Sequence, residues 1–236
     1  MLYYNMMMLN ILWKGPSTMA QATATKLPLQ RKINREQRRQ QLIDATMRVL
    51  ARKGYAQTTL SDVAAEAKVS HGLVNFHFDT KEKLLTQTLL FMADEYRNNW
   101  LSALEKAGPT PAEQLDALLR ADYEPSICTP EHLACWCSYW GEVQSRPIYQ
   151  QECASNDSRY IERLEEICVA LIAEGNYQLE AARTARVLRL VNEGLWLDML
   201  SMQIPYSRSE AIATLHACAT AHFPLHFGKA GLRVMP

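Results

Sequence analysis

Thr59-Leu-Ser-Asp-Val-Ala-Ala-Glu-Ala-Lys-Val-Ser-His-Gly-Leu-Val-Asn-Phe-His-Phe-Asp-Thr-Lys81 is the stretch that decides the fold. It reads as two short helices joined by a tight turn. Thr59-Leu-Ser-Asp62 resembles a capping box, with Asp in place of the usual Glu, and opens a helix to about Ala67. Lys68-Val69 is the turn, and Ser70 caps a second helix from His71 to Phe78. A helix-turn-helix needs a small residue where its helices cross, and Ala64 occupies that place. It also needs an apolar residue after the turn, Val69, and apolar anchors on the second helix, Val74 and Phe78. The face left over carries Ser70, His71, Leu73, Asn75 and His77. Side chains of this kind on a helix can read base edges in a major groove.

Working outward, helical spacing of Leu42, Ala45, Thr46, Val49 and Leu50 predicts a helix from Arg35 to Lys53, ended by Gly54. Downstream, Asp79-Thr-Lys-Glu82 caps a long helix to about Lys106. Thr110-Pro-Ala-Glu113, Thr129-Pro130 and Ser207-Arg-Ser-Glu210 mark three more starts. Further helices are expected at roughly Ile148–Glu174, bent or interrupted near Ser155-Asn156-Asp157, and at Leu179–Met202. Arg146-Pro147 and Pro205 act as breaks. The expected fold is all-α with about nine helices and no strand. Its domains are a loose arm at 1–30, a helix-turn-helix domain at 31–80, a helical ligand-binding and dimerisation domain at 81–228, and a tail at 229–236. For the arm, Met19 is as good a start as Met1.

Composition agrees with a folded soluble chain: 48% hydrophobic and 21% charged residues, with 9 Gly and 10 Pro in 236. Net charge is zero, yet it divides unevenly. Lys26 to Leu89 holds 12 basic and 6 acidic residues, Leu90 to Pro236 holds 12 and 19, and Lys14 supplies the remaining charge. A basic head on an acidic body suits a nucleic-acid partner for the head alone. The apolar start, Met1 to Trp13, is too short to span a bilayer, which takes about 20 residues. The chain is expected in the cytoplasm without a membrane partner. Its 6 Cys read as reduced thiols there. Cys128, His132, Cys135 and Cys137 lie close enough in sequence to raise a metal or redox sensor against the simpler reading of buried, inert thiols. No metal site and no cofactor are assigned. No G-x-S-x-G, H-E-x-x-H, P-loop or dinucleotide fingerprint occurs, so the enzyme classes those motifs mark are excluded, and no catalytic residue is assigned.

The stretch from Thr59 to Lys81 resembles the signature of the TetR family of transcriptional regulators. That resemblance implies a three-helix DNA-binding head on a helical body that dimerises and binds an inducer. It also implies DNA contacts. Thr59 and Lys81 would meet phosphates, Ser70, His71, Leu73 and Asn75 would face bases or nearby phosphates, Gly72 would allow close backbone approach, and His77 would touch the backbone. Two positions depart from the family: Lys68, where Gly is usual, is expected to need a positive φ, and Asn75 replaces a Tyr.

Trp136-Cys-Ser-Tyr139-Trp140, then Pro147-Ile-Tyr149, then Glu193-Gly-Leu-Trp196-Leu are similar to the BetI-type repressors of choline and glycine-betaine metabolism. Pro147 and Tyr149 are one residue closer than in that pattern, and Glu193 replaces Asp. Trp136, Tyr139 and Trp140 share one helix face, as do Glu193 and Trp196. Aromatic faces with a carboxylate suit a quaternary ammonium such as choline. The same residues also suit ordinary core packing around an uncharged apolar metabolite, and both readings stay open. The expected partners are palindromic double-stranded operator DNA, a small-molecule effector and a second copy of the chain. For dimerisation, small apolar stripes at Ala182, Ala185, Leu188 and Val191 and at Ala211, Leu215 and Ala219 are the candidates.

Overall fold

The computed structural model describes residues 18–143, 147–203 and 207–233. The helices are α1 (Thr18–Gln57), α2 (Leu60–Glu66), α3 (His71–Phe78), α4 (Lys81–Lys106), α5 (Pro111–Ala121), α6 (Pro130–Trp140), α7 (Pro147–Gly175), α8 (Ala181–Ser201) and α9 (Arg208–His222). The chain forms two compact units, Met1–Gln41 and Leu42–Pro236. Every candidate site residue lies in the second.

Local chemistry explains most helix starts. Thr59 and Thr110 both complete capping boxes, with Asp62 and Glu113 respectively. Ser70, Thr80, Thr129 and Ser207 each accept a backbone N–H of the first turn. Lys68 takes φ 56°, as its place in the turn demanded. That conformation costs a non-glycine residue about 1–2 kcal/mol, which the Val69 N–H to Ala64 carbonyl bond (2.9 Å) helps to offset.

Three expectations are corrected. Helix α1 begins at Thr18, not at Arg35, over part of the expected arm; Ala20, Ala22, Ala24 and Lys26 there are good helix formers. Residues 1–17, Arg146 and Pro205 lie outside the described residues. Helix α7 runs as one element through Ser155-Asn156-Asp157. The end of the body and the tail form a two-residue antiparallel ladder, β1 (Phe227–Gly228) with β2 (Gly231–Leu232). Strands this short leave no periodicity to read. Gly231 is required there: φ is 96°, and a Cβ would sit 2.8 Å from His216 Nδ1.

Two apolar cores result. One gathers Leu42, Leu50, Val63, Val74, Phe78, Leu84 and Leu85 from α1 to α4, and also takes Cys135 and Tyr139 from α6 and Tyr149 from α7. The other is built from Trp100, Leu115, Leu118, Leu164, Leu171, Leu188, Leu215 and Phe223. This second core takes most of the expected dimer stripe, and Ala182 and Val191 are left half-buried. Ala185, Leu188, Ala211, Leu215 and Ala219 are buried by their own chain. Among its apolar side chains, α8 leaves Leu190 and Leu197 most exposed, each at 51%, with Gly194 between them and Leu200 also in solvent. On α9 the exposed side is Ala213, Ala217 and Ala221.

Candidate functional site

The head displays α3 to solvent. Val74 and Phe78 are its buried anchors, and Ser70, His71 and Gly72 are exposed, with Leu73, Asn75 and His77 half-buried at the edges. Asn75 Nδ2 lies 3.2 Å from His71 Nδ1, one turn away. The most exposed large apolar side chain of the head is Phe76, at 69%, with His77 edge-on at 5.3 Å. Sequence reasoning passed over Phe76. The signal was an aromatic between two anchor positions, where a helix must turn it outward. Thr59 stands exposed at the start of α2 and donates its hydroxyl to Asp62 (2.8 Å). Lys81, at the start of α4, donates to the Ala56 carbonyl (3.1 Å) and sits over the Tyr55 ring at 5.4 Å.

Not all the basic charge of the head is available to an anion. Arg48 and Arg52 reach Glu66 at 2.7 and 2.6 Å, and Lys53 reaches Asp62 at 2.7 Å. The hydrogen bonds from these cations hold both carboxyls below their ordinary range. These pairs tie α1 to α2 and so fix the helix that supports α3.

In the body, α4, α6, α7 and α8 line a partly open cavity of about 480 Å³. That size suits a small molecule, for which sites of about 300–1,000 Å³ are usual. Trp136, Tyr139, Trp140, Glu193 and Trp196 all line it. Helix α4 adds Tyr96 and α7 adds Tyr160, neither foreseen from sequence. Tyr96 is the hub of this wall. Its ring meets Trp136 edge-on at 6.4 Å, Trp196 edge-on at 5.9 Å and Tyr160 at 5.9 Å. Glu193 is not a lone carboxylate, because Arg189 on the same helix pairs with it and also lines the cavity.

Behind this wall lies Asp122, at the C-terminal cap of α5 and fully buried. Its Oδ2 accepts from Asn192 Nδ2 (2.6 Å) and from the Tyr160 hydroxyl (3.3 Å). Tyr123 in turn donates to Asn192 Oδ1 (2.7 Å). Burial pushes the Asp122 carboxyl up to about 7, against the hydroxyls of Tyr96 and Tyr160 and the Asn192 amide, which favour the charged form.

A tyrosine cluster joins the cavity to the head. Tyr139 and Tyr149 line the cavity, and their rings stand edge-on at 5.6 Å. Tyr55, just past the φ 72° kink at Gly54, meets them at 6.2 and 5.9 Å, and its hydroxyl hydrogen-bonds that of Tyr149. Tyr139 donates to the Leu85 carbonyl of α4 (2.8 Å).

The described cysteines do not converge. Among the described residues no three His, Cys, Asp or Glu side chains are placed to hold a metal. Burial pushes the thiols of Cys135 and Cys168 up to about 12 and that of Cys128 up to about 11. Such thiols are poor nucleophiles. No helix among the described residues is long and apolar enough to cross a membrane.

Comparison with known proteins accounts for both halves of this arrangement. Residues 42–88 match the family model of bacterial regulatory proteins of the tetR family. Residues 111–224 match that of the BetI-type transcriptional repressor, C-terminal. The HTH-type transcriptional regulator BetI of Agrobacterium fabrum is 32% identical over 149 residues, 58% of this chain and 70% of that one. Its counterpart in Rhizobium meliloti is 29% identical over 192 residues, 78% and 89% of the two chains. Among solved structures, a transcriptional regulator from Pseudomonas aeruginosa PAO1 superposes with a TM-score of 0.69 at 26% identity, over 79% of this chain and 90% of that one. A regulator from Saccharomonospora viridis, solved in complex with choline, shares the fold with a TM-score of 0.69 at 19% identity, over 79% and 97%. These relatives are regulators of transcription, not enzymes.

Proposed function

Because the chain belongs to the TetR family of bacterial regulatory proteins and carries a BetI-type C-terminal domain, we propose that it is a repressor that binds a palindromic operator as a dimer and is released by a small quaternary-ammonium compound such as choline. The observation that carries the ligand reading is the cavity wall: Trp136, Trp140, Trp196, Tyr96 and Tyr160 around one space. A desolvated cation over such rings gains up to about 2 kcal/mol. The choline bound to the Saccharomonospora viridis protein of the same fold supports the choice.

On the DNA side, the exposed part of α3 enters the major groove. His71, Asn75 and Phe76 face base edges there, with Phe76 suited to a thymine methyl. Ser70, Gly72, Leu73 and His77 lie against backbone or base edges, and Thr59 and Lys81 contact phosphate. Two α3 helices must be about 34–36 Å apart, or a multiple of that, to read successive grooves. Dimer contact falls on the side of α8 and α9 that the monomer leaves open, with Leu190 and Leu197 as its apolar anchors.

The signal has a short route. Tyr149 belongs to the cavity wall and Tyr55 to the head, and their hydroxyls touch. A ligand changes operator affinity only as far as it prefers one arrangement of that contact over another. A second reading, an uncharged ligand, is favoured by the Arg189–Glu193 pair, which leaves Glu193 already neutralised. Titrating tryptophan fluorescence and operator retardation with choline and with 3,3-dimethyl-1-butanol, its uncharged isostere, separates the two. Equal response to both compounds would select the uncharged reading.

A further inference from the structure

Asp122 is a buried carboxylate with no cation of its own. Among the described residues no Lys, Arg or His pairs with it, and its Oδ1 lacks a hydrogen-bond partner. It also stands at the C-terminus of α5, where the helix dipole disfavours negative charge. An uncompensated buried charge is among the most destabilising features a core can carry. Yet two side chains from two helices hydrogen-bond it, Tyr160 of α7 and Asn192 of α8, and Tyr96 of α4 also favours its charged form. All three also line the cavity. The two tyrosine rings thus present to the cavity, and the Tyr160 hydroxyl donates to the carboxylate behind it.

On this arrangement, and resting on the cation reading above, we infer that Asp122 is the counter-ion of the cavity, a carboxylate behind the aromatic wall that gives the site its preference for a monocation over a neutral molecule of the same shape. Glu193 cannot fill that role alone. It is engaged by Arg189, and its side chain is 41% exposed, so solvent screens it. Asp122 acts through protein, where the effective dielectric is low.

The consequence is proton linkage. Besides Tyr96, Tyr160 and Asn192, the groups facing Asp122 are Tyr123 and Cys128 just after α5, and Glu193 of α8 with its partner Arg189. Burial leaves the Asp122 carboxyl half protonated near pH 7. A cation entering the cavity favours the carboxylate, so the O–H bond breaks and the proton passes to buffer. Cation affinity therefore rises with pH through this range, by roughly tenfold from pH 6 to pH 8. A neutral isostere does not follow that rise.

The test is calorimetric titration of the full-length protein with choline and with 3,3-dimethyl-1-butanol at pH 6, 7 and 8, in two buffers of different ionisation enthalpy. We expect release of about half a proton per choline bound at pH 7, none for the alcohol, and a choline affinity that climbs with pH. Asp122→Asn should remove the climb and the preference for choline, whereas Glu193→Gln should retain the climb. If Asp122→Asn does not fold, Tyr160→Phe serves: it removes one donor to the carboxylate and should move the midpoint of the climb upward. Preference for choline with no proton release and no pH dependence in the wild type would overturn the role of Asp122 and leave the cation reading standing. Equal affinity for choline and the alcohol at every pH would overturn both.

Discussion

Removing the hydroxyl of Tyr149 should cut the protein's response to its effector while leaving both binding sites in place. Tyr149→Phe keeps the ring that stands edge-on to Tyr139 and Tyr55, at 5.6 and 5.9 Å, and deletes only the hydroxyl bonded to Tyr55. A buried hydrogen bond of this kind contributes about 1 kcal/mol net. If that bond exists in one of the two head arrangements and not in the other, its loss shrinks the coupling by the same amount, about fivefold in the ratio of operator affinities with and without ligand. The assay is a double-mutant cycle over wild type, Tyr55→Phe, Tyr149→Phe and the double variant. Operator affinity is measured by fluorescence anisotropy at zero and saturating choline, and choline affinity is measured on the same preparations. The single variants should each lose about fivefold of response, and the double variant should lose no more than either. Undiminished release in the double variant, with choline still bound, would refute the tyrosine route.

Lys81→Ala should weaken specific and random DNA alike and lower the salt slope of binding by roughly one charge, whereas Phe76→Ala should change sequence preference at a thymine step; selection from a randomised operator reads both. Leu190→Glu or Leu197→Glu should yield folded monomers with lost operator binding in sedimentation and gel-shift measurements. Leu215→Glu, by contrast, puts a charge in a fully buried site and should abolish folding, as read by circular dichroism. Relative to Asp122→Asn, the ligand-free protein should lose stability as pH rises from about 4 to about 7: unfolded Asp122 ionises near 3.8, the folded carboxyl only near 7, so the native state holds the extra proton in between. An Asp122→Asn protein with the same pH dependence of melting temperature as the wild type would contradict this.

The head was legible in the sequence because its determinants are local. A capping box at Thr59 to Asp62, a serine cap at Ser70 and a turn that forces Lys68 to φ 56° each involve residues within four positions of one another. Two walls of the cavity were legible for the same reason: Trp136, Tyr139 and Trp140, like Glu193 and Trp196, are spaced to share a helix face. The remaining walls, and Asp122 behind them, were not. Tyr96, Asp122, Tyr160 and Asn192 come from four different elements, and nothing local marks any of them. Asp122 in particular reads as an ordinary acidic residue at a helix end, and only its burial, with Tyr160 and Asn192 on one oxygen, makes it unusual.

The dimer stripe shows where periodicity fails for a physical reason. Helix α9 carries alanine on both sides: Ala211 and Ala219 flank Leu215 in the core, while Ala213, Ala217 and Ala221 face solvent. Alanine is nearly indifferent to burial, since it brings one methyl to either environment, so α9 has almost no contrast between its faces. The choice of face is then made by the larger neighbours, Leu215 and Phe223, which bury far more apolar area and rotate the helix to do so. In the proposed dimer, small side chains left outside allow a second helix to approach closely, and the apolar drive comes from α8. Leu190 and Leu197 supply it, two turns apart on the side of α8 that the monomer does not cover.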